Sequence, residues 1–255
     1  MSDPQVVVHR DGGLLAAVTA ARLLTALVDA QSEQGDASLV LTGGRTGTAV
    51  LEHLRALPGL GAVDWSRVDL YWGDERFLPS GHPDRNETQA RAALLDHVPV
   101  DPARVHTMEP SDGEFGDDAD AAAEAYAAVL TSAGDGSVPQ FDVLLLGVGE
   151  EGHVASIFPD SPAVHERTRS VVAVRNCPKP PPTRVSLTLP AIRRAREVWL
   201  MTTGEAKAEA AARALTGASE VDLPAAGATG QRRTLWLLDS TAAAKVPDLF
   251  TPPLA

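Results

Sequence analysis

Cysteine is almost absent from the 255-residue sequence, in which Cys177 is the only thiol. A single cysteine excludes an internal disulfide framework and fits a reducing compartment. Cys177 lies in a Pro-rich loop with no histidine beside it, so we expect a tolerated loop thiol rather than a nucleophile. The sequence also lacks HExxH, a Cys cluster and any compact His/carboxylate set with ligand spacing, so no metal site is predicted.

Basic residues are fewer than acidic ones. Lys and Arg number 22 against 34 Asp and Glu, for a formal net charge of −12, which disfavours nucleic acid as a partner. The N-terminus has neither the basic start nor the apolar stretch of a signal peptide, and we expect no later apolar run of membrane-spanning length. A cytoplasmic protein without a membrane partner is therefore predicted. An anionic small molecule is compatible with the charge if cations are concentrated locally.

Short apolar segments alternate with stretches of helical periodicity, which predicts an α/β fold of parallel strands joined by crossover helices. Predicted strands cover residues 5–9, 38–42, 68–72, 141–147, 170–174, 184–187, 198–202 and 234–238. Predicted helices cover residues 14–28, 119–130, 191–195 and 206–215, and one more begins near residue 88. The alternation continues across the Gly/Asp-rich and Pro-rich stretches, so a single domain of residues 1–255 is expected.

Ligands of open parallel sheets bind beyond the carboxyl ends of the strands, so the loops after strands are the candidate sites. The first such loop, residues 41–48, reads Leu-Thr-Gly-Gly-Arg-Thr-Gly-Thr. Its glycines let the backbone approach a ligand, and the N–H groups of the following helix suit a phosphate. The loop lacks the ending of a nucleotide P-loop and the GxGxxG spacing, which disfavours ATP and NAD. A glycine turn without a ligand is the alternative.

The second loop, residues 72–79, follows a predicted strand with two carboxylates and an arginine. Either these side chains meet a ligand, or they form a solvated turn in which Arg76 pairs with Asp74 or Glu75. Residues 84–88 follow shortly afterwards, and we assign them the structural role of capping the next helix.

The third loop, residues 147–156, follows the most convincing central strand and holds His153 two and three residues after two acids. A neutral imidazole can take a proton from water near neutral pH, and Glu150 or Glu151 could orient it. A structural histidine is the alternative, but the glycines and acids around this one favour catalysis. The other six histidines lack such surroundings.

Two further cations occupy positions where an anion could bind. Arg184 enters a strand after Pro182-Thr183, and Lys207 opens a helix. A lysine in the first turn of a helix opposes the helix dipole, which indicates a bound anion, although surface charge is the default interpretation for both residues.

Taken in order, the Gly-Gly loop, Gly-Asp-Glu-Arg, Gly-x-Gly-x-x-Gly-His-x-Ala-Ser-x-Phe-Pro and Pro-Pro-x-Arg-Val-Ser-Leu-Thr-Leu-Pro resemble the 6-phosphogluconolactonases. The resemblance runs from about residue 6 to residue 236. It implies a Rossmann-like fold shared with glucosamine-6-phosphate deaminases, with a mostly parallel sheet and helices on both faces. It also implies hydrolysis of 6-phospho-D-glucono-1,5-lactone in the oxidative pentose phosphate pathway. The expected ligand is this sugar-phosphate lactone. We expect no cofactor and no obligate protein partner, and a monomer is compatible with the sequence.

Carried over residue by residue, the resemblance makes His153 the base that activates water and Glu151, where relatives usually have aspartate, the acid that orients it. Arg45 stands at a position that is commonly small or hydroxylated, so it either pairs with the phosphate or faces solvent. The predicted substrate-binding residues are Gly43, Gly44, Arg45, Thr46, Asp74, Arg76, Arg184 and Lys207.

Two other functions stay open at this point. Glucosamine-6-phosphate isomerases or deaminases have a segment that resembles Gly-His-Ile-Ala-Phe-Asn-Glu-Pro at the third loop. In this sequence His153 is followed by Val-Ala-Ser-Ile-Phe-Pro, with no acid where that segment has glutamate. A non-catalytic sugar-phosphate sensor would keep the binding loops and lack turnover. Within the lactonase interpretation, the absence of a Gly-x-Ser-x-Gly elbow favours direct attack by water over a serine acyl-enzyme.

Overall fold

The computed structural model describes residues 3–250, so the two ends of the predicted domain, residues 1–2 and 251–255, lie outside the described residues. Six parallel strands form the main sheet, in the order β1-β9-β8-β5-β2-β3. Three antiparallel strands form a smaller sheet, in the order β4-β7-β6. The strands are β1 (Pro4–His9), β2 (Ala37–Leu41), β3 (Val68–Trp72), β4 (Asp74–Arg76), β5 (Val143–Gly147), β6 (Val171–Val174), β7 (Arg184–Leu187), β8 (Glu197–Thr202) and β9 (Arg233–Asp239).

Helices connect the strands, and the predicted α/β class with a mostly parallel sheet is confirmed. They are α1 (Gly12–Gln34), α2 (Gly44–Ala56), α3 (Asn86–Ala93), α4 (Ala119–Ala133), α5 (Leu189–Ile192) and α6 (Ala208–Leu215). The predicted helix at 191–195 instead spans Leu189–Ile192, and it begins earlier than predicted because Thr188 caps it and Pro190 occupies its first turn.

Both faces of the central strands are covered. Successive residues of a strand point to opposite faces, yet all six residues of β8 and the first four of β5 are buried. Such uninterrupted burial is typical of parallel strands between two helical layers. The edge strand β1 is only partly buried, as expected where one side of a strand has no partner.

Helix α1 corrects one expectation from the sequence. By length and composition it could cross a membrane, so the prediction that no apolar run reaches this length is wrong for α1. Asp11 is the N-cap of the helix, and its side chain accepts a hydrogen bond from the Leu14 N–H at 2.8 Å. Its buried residues recur every three to four positions and pack against α2, β2 and β9. A helix packed in a core passes the same length test, so α1 is weak evidence for a membrane span.

The smaller sheet joins two of the motifs. Gly73 separates β3 from β4, and its carbonyl accepts the Leu187 N–H at 2.8 Å. In the antiparallel register Asp74 lies opposite Ser186 and Arg76 opposite Arg184. The Gly-Asp-Glu-Arg segment therefore lies beside the Pro-Pro-x-Arg segment. Strands β8, β5, β2 and β3 are consecutive in the main sheet, so the loops after their carboxyl ends also meet at one edge.

Candidate active site

A cleft of about 230 Å³ opens at this edge of the sheet. All eight predicted substrate-binding residues line it, and so does His153. Glu151 is not part of the lining and contacts the His153 ring instead. The structure thus brings the predicted residues together, while their roles stay predictions. Another cavity, of about 250 Å³, lies at the amino ends of β5, β8 and β9, where none of the predicted residues is found.

The first turn of α2 forms one wall of the cleft. Gly43 is the N-cap and makes no side-chain hydrogen bond to the helix, so N–H groups of the first turn are available to an anion. Gly44 has φ +80°, a left-handed backbone that glycine adopts without strain. Arg45 is exposed at the mouth, and the Thr46 hydroxyl lies 3.2 Å from that of Thr203, which also lines the cleft. This wall combines free N–H groups, a cation and hydroxyls, the groups that bind phosphate.

The Gly-Asp-Glu-Arg segment divides into two roles. Arg76 lines the cleft and its guanidinium donates to the Asp84 carbonyl. Between residues 3 and 250 it forms no ion pair, so the alternative in which it pairs with Asp74 or Glu75 is wrong. Glu75 is buried and turned away from the cleft towards the start of α3. Its carboxylate accepts the backbone N–H groups of Asn86 at 2.6 Å and Glu87 at 2.8 Å.

Glu75 therefore caps α3, and the prediction that the side chains of residues 84–88 do so is wrong: the N-cap residue, Arg85, makes no side-chain capping bond. Burial raises the pKa of Glu75 to about 7, against the opposing charge of Arg85 and the backbone donors. Arg85 is itself fully buried, with one guanidinium nitrogen 3.9 Å from Glu75 and 2.7 Å from the Met108 carbonyl.

Asn86 is a cleft residue that the sequence interpretation missed. Its amide nitrogen donates to the Asp74 carbonyl at 2.8 Å, and its buried Oδ1 has no partner among the described residues. A Cβ at Gly43 would lie 1.8 Å from this oxygen, so only glycine fits against Asn86. The sequence carries no clear signal for this role, because Asn86 does not directly follow a strand.

Asp74 links three loops at the floor of the cleft. It is buried, and it accepts the Ser156 hydroxyl at 2.6 Å and the Asn86 amide at 3.3 Å. Arg184 places Nη1 at 3.9 Å from the same carboxylate. The other guanidinium nitrogens of Arg184 bind carbonyls of the preceding loop, those of Lys179, Pro180 and Pro181, at 3.0 to 3.3 Å. Nη1 also lies 3.5 Å from the Ser156 hydroxyl, but it makes no bond to the preceding loop, so it is the part of Arg184 that can face a ligand.

The histidine loop is shaped by its glycines. The Gly149 N–H donates to the His153 carbonyl at 2.9 Å, which folds the loop back on itself. A Cβ at Gly149 would lie 1.9 Å from His153 Nδ1, so the ring occupies the space that a side chain there would need. Gly152 has φ +85°, again a conformation that favours glycine. The ring of Phe158 packs against that of His153, with centroids 4.5 Å apart.

His153 Nδ1 is buried and lies 3.2 Å from Glu151 Oε1. This distance is within the range of an ion pair, but the two atoms do not form a hydrogen bond. Nε2 is therefore the ring nitrogen that can meet a ligand. Burial lowers the pKa of His153 below its ordinary value of 6.5, against the opposing charge of Glu151. The imidazole is thus neutral at neutral pH, as a general base requires. Of the two acids left open by the sequence, Glu151 contacts the ring and Glu150 is exposed.

Glu151 also binds a cation outside the predicted site. Lys179 donates to Glu151 Oε2 at 2.9 Å. Burial alone would raise the pKa of Glu151, but its own backbone N–H and the Lys179 ammonium outweigh burial and lower that pKa to about 2. The carboxylate is consequently ionised wherever His153 is neutral.

Lys207 lines the cleft beside the loop of His153. It ends a 3-10 turn that runs directly into α6, and its ammonium donates to the Val148 carbonyl at 3.0 Å. Burial lowers the pKa of Lys207, and the neighbouring Lys179 charge lowers it further. Within residues 3–250, no three His, Cys, Asp or Glu side chains are grouped so that they could hold a metal ion.

Comparison with known proteins identifies the family of the chain. The family model of glucosamine-6-phosphate isomerases/6-phosphogluconolactonase matches residues 10–236. A 6-phosphogluconolactonase of Streptomyces coelicolor is 60% identical over 258 residues, which cover 99% of each chain. One of Mycobacterium tuberculosis is 52% identical over 95% of this chain and 98% of its own. The structure of 6-phosphogluconolactonase from Trypanosoma brucei matches with a TM-score of 0.80 at 30% identity, over 96% of this chain and 99% of that one. The chain belongs to the glucosamine-6-phosphate isomerase/6-phosphogluconolactonase family.

Proposed function

We propose that the chain hydrolyses 6-phospho-D-glucono-1,5-lactone to 6-phospho-D-gluconate in the oxidative pentose phosphate pathway, with His153 as the base that activates water. The observation that carries the proposal is the neutral His153, backed by Glu151 at 3.2 Å, at the wall of a cleft rich in cations. The names of the relatives, at up to 60% identity over nearly the whole chain, support the same reaction.

The phosphate of the substrate binds at the first turn of α2. Gly43 and Gly44 let the backbone approach it, and Thr46 offers a hydroxyl. Arg45 and Arg76 add positive charge on this side of the cleft, and neither forms an ion pair elsewhere in the described chain. In a protein with a net charge of −12, this local concentration of cations is what attracts a phosphorylated acid derivative.

The reaction proceeds by direct attack of water on the lactone carbonyl. His153 Nε2 takes a proton from water as the oxygen bonds to the carbonyl carbon, and the ionised Glu151 stabilises the imidazolium that forms. The oxyanion is stabilised by the cations that line the cleft, with Lys207 and the Nη1 of Arg184 as its donors. When the intermediate collapses, the bond between the carbonyl carbon and the ring oxygen breaks, and the imidazolium returns its proton to that oxygen. One water is consumed and the open-chain acid is released.

The isomerase or deaminase alternative is not favoured. Phe158 stands where the deaminase motif has its glutamate, and its ring packs on His153, so the surroundings of the base are apolar on that side. Ser156, two residues before it, donates its hydroxyl to Asp74. Residues 154–159 contain no acid, so none of them can serve in a second proton relay.

We also infer one domain of residues 1–255, a cytoplasmic location, and no nucleic-acid, membrane or obligate protein partner. The pairing of β1 with β9 supports a single domain, because it joins the two ends of the described chain in one sheet. The relatives, named as metabolic enzymes, support the location, and the acidic charge disfavours nucleic acid as a partner.

The proposal is tested by generating the lactone in situ and following its disappearance, with spontaneous hydrolysis subtracted. The wild type is expected to accelerate ring opening, and His153→Ala to lose most of that rate while still binding 6-phosphogluconate. His53→Ala, an exposed histidine on α2, is the matched control and is expected to retain full activity. Absence of any acceleration by the folded wild type would overturn the proposed function. Release of ammonia from glucosamine 6-phosphate would assign the deaminase instead.

A further inference from the structure

A lysine outside the predicted site contacts the carboxylate that lies behind His153. The loop of residues 175–183, between β6 and β7, brings the Lys179 ammonium to 2.9 Å from Glu151 Oε2. The other oxygen of that carboxylate, Oε1, lies 3.2 Å from His153 Nδ1. One carboxylate therefore contacts a lysine and the base at the same time, each through a different oxygen.

We propose that Lys179 is a positioning residue for the lactonase reaction, which holds the Glu151 carboxylate against His153. The inference rests on the proposed function and adds a residue to it. Glu151 is about one-third exposed, so without a partner its side chain could exchange rotamers and leave the ring. An ion pair at its outer oxygen restrains this motion and keeps Oε1 at Nδ1, where it orients the ring and faces the positive charge of the imidazolium.

The backbone of Lys179 is itself anchored from the cleft. Arg184 donates from Nη2 to the Lys179 carbonyl at 3.0 Å, and the Cys177 N–H donates to the Pro182 carbonyl at 3.0 Å across the same loop. Arg184 also lines the cleft and carries Nη1 towards Asp74. Arg184 thus holds the backbone of the loop that carries Lys179, and Lys179 in turn holds Glu151. The side chain of Lys179 is 44% exposed, but its carbonyl is bound by Arg184 and its ammonium by Glu151, so its position is more restrained than this exposure alone would indicate.

The charges that face His153 set the direction of the expected effect. Glu151 on its own loop and Asp74 on β4 are negative, Lys179 is positive, and Arg184 offsets part of the charge of Asp74. Without the lysine, the protonated ring still attracts the Glu151 carboxylate by its own charge, whereas the neutral ring no longer has that carboxylate held against it. The protonated form is therefore favoured, and the pKa of His153 rises. The base must be neutral to act, so the rise in rate with increasing pH moves to higher pH.

The test compares Lys179→Met with the wild type and with Lys245→Met across the pH range in which histidine titrates. Lys245 forms a more exposed ion pair with Glu209 at 3.1 Å, outside the cleft lining, and its loss is expected to change nothing. Lys179→Met is expected to shift the acid limb of kcat/KM upward by about 0.5–1 pH unit. It is also expected to lower the plateau kcat by about 3- to 10-fold, with KM little changed. Lys179→Arg, which keeps the charge, is expected to restore most of both.

Two further measurements separate positioning from other roles. In a Glu151→Gln background, Lys179→Met is expected to change the plateau kcat by less than about twofold, because the group that it positions is gone. The NMR titration of the His153 Cε1–H, identified by its loss in His153→Ala, is expected to show the raised pKa without any turnover. This readout and the Lys179→Arg profile remain decisive if Lys179→Met lowers stability.

The inference is overturned if Lys179→Met leaves both the acid limb and the His153 titration where they are in the wild type. It is equally overturned if only KM rises, since Lys179 would then contact substrate. A wild type without lactonase activity is a different result, which removes the proposed function while the NMR titration still decides whether Lys179 acts on His153.

Discussion

Replacing Gly149 by alanine should disable the base without unfolding the protein. The added Cβ would lie 1.9 Å from His153 Nδ1, 2.2 Å from Cε1 and 2.8 Å from Cγ. Since non-bonded carbon and nitrogen atoms need about 3.5 Å, the ring has to move by about 1.5 Å. Gly149 does not have a left-handed φ, so alanine there is limited by the contact with the ring and not by its own backbone.

A displacement of about 1 Å at a reacting group can lower a rate about 100-fold, so we expect Gly149→Ala to lower kcat by about two orders of magnitude. The stability cost should be no more than about 1–3 kcal/mol, the usual range for overpacking, because the ring borders an open cleft into which it can turn. Lactone hydrolysis gives kcat, and thermal unfolding gives the stability.

The control for Gly149→Ala is Gly61→Ala, where a Cβ meets nothing within 4 Å and φ is not left-handed. It reports the general effect of a glycine-to-alanine change, and full activity is expected. The reasoning is refuted if folded Gly149→Ala turns over at the wild-type rate, since the position of the ring would then be unimportant for catalysis.

Two other perturbations test the electrostatics. Glu151→Gln removes the charge that raises the pKa of His153, so the acid limb of kcat/KM should move to lower pH by about 1 unit while the plateau falls; a limb that moves upward would contradict this assignment. Glu75, with a folded pKa raised to about 7, binds its proton more tightly in the folded state, so its contribution to stability is present below the unfolded pKa of about 4.5 and is lost as pH rises through 7. Denaturant unfolding at several pH values should show this loss, of up to about 3 kcal/mol, as a slope that Glu75→Gln flattens relative to wild type; parallel curves for both proteins would refute it.

Local pattern was sufficient to predict the strands of the main sheet. Strand β3 begins and ends at the predicted residues 68 and 72, and the alternation of β5 and β8 with helices indicated parallel pairing. The loops that follow these strands were predicted to hold the site, because in any open parallel sheet they must meet at one edge. That rule depends on topology and not on the details of packing, so the sequence was informative about it.

Hydropathy was less informative about α1. A helix of 23 residues with few charges satisfies the test for a membrane span and the requirement for packing on a sheet equally well. Both environments are apolar, so composition does not distinguish them; the buried stripe that packs against neighbouring elements does.

By itself, the sequence determined the fold class and predicted the edge of the sheet for the site and His153 as the base. Each of these depends on residues close together in the chain: a strand, its glycines and His153. Only the tertiary structure decided that Glu75 caps α3, that Asn86 enters the cleft and that Lys179 reaches Glu151. These contacts join segments separated by 11 or more residues, as between Glu75 and Asn86, or 28, as between Glu151 and Lys179. Their partners are selected by the pairing of β4 with β7 and by the packing around it, which no local pattern encodes.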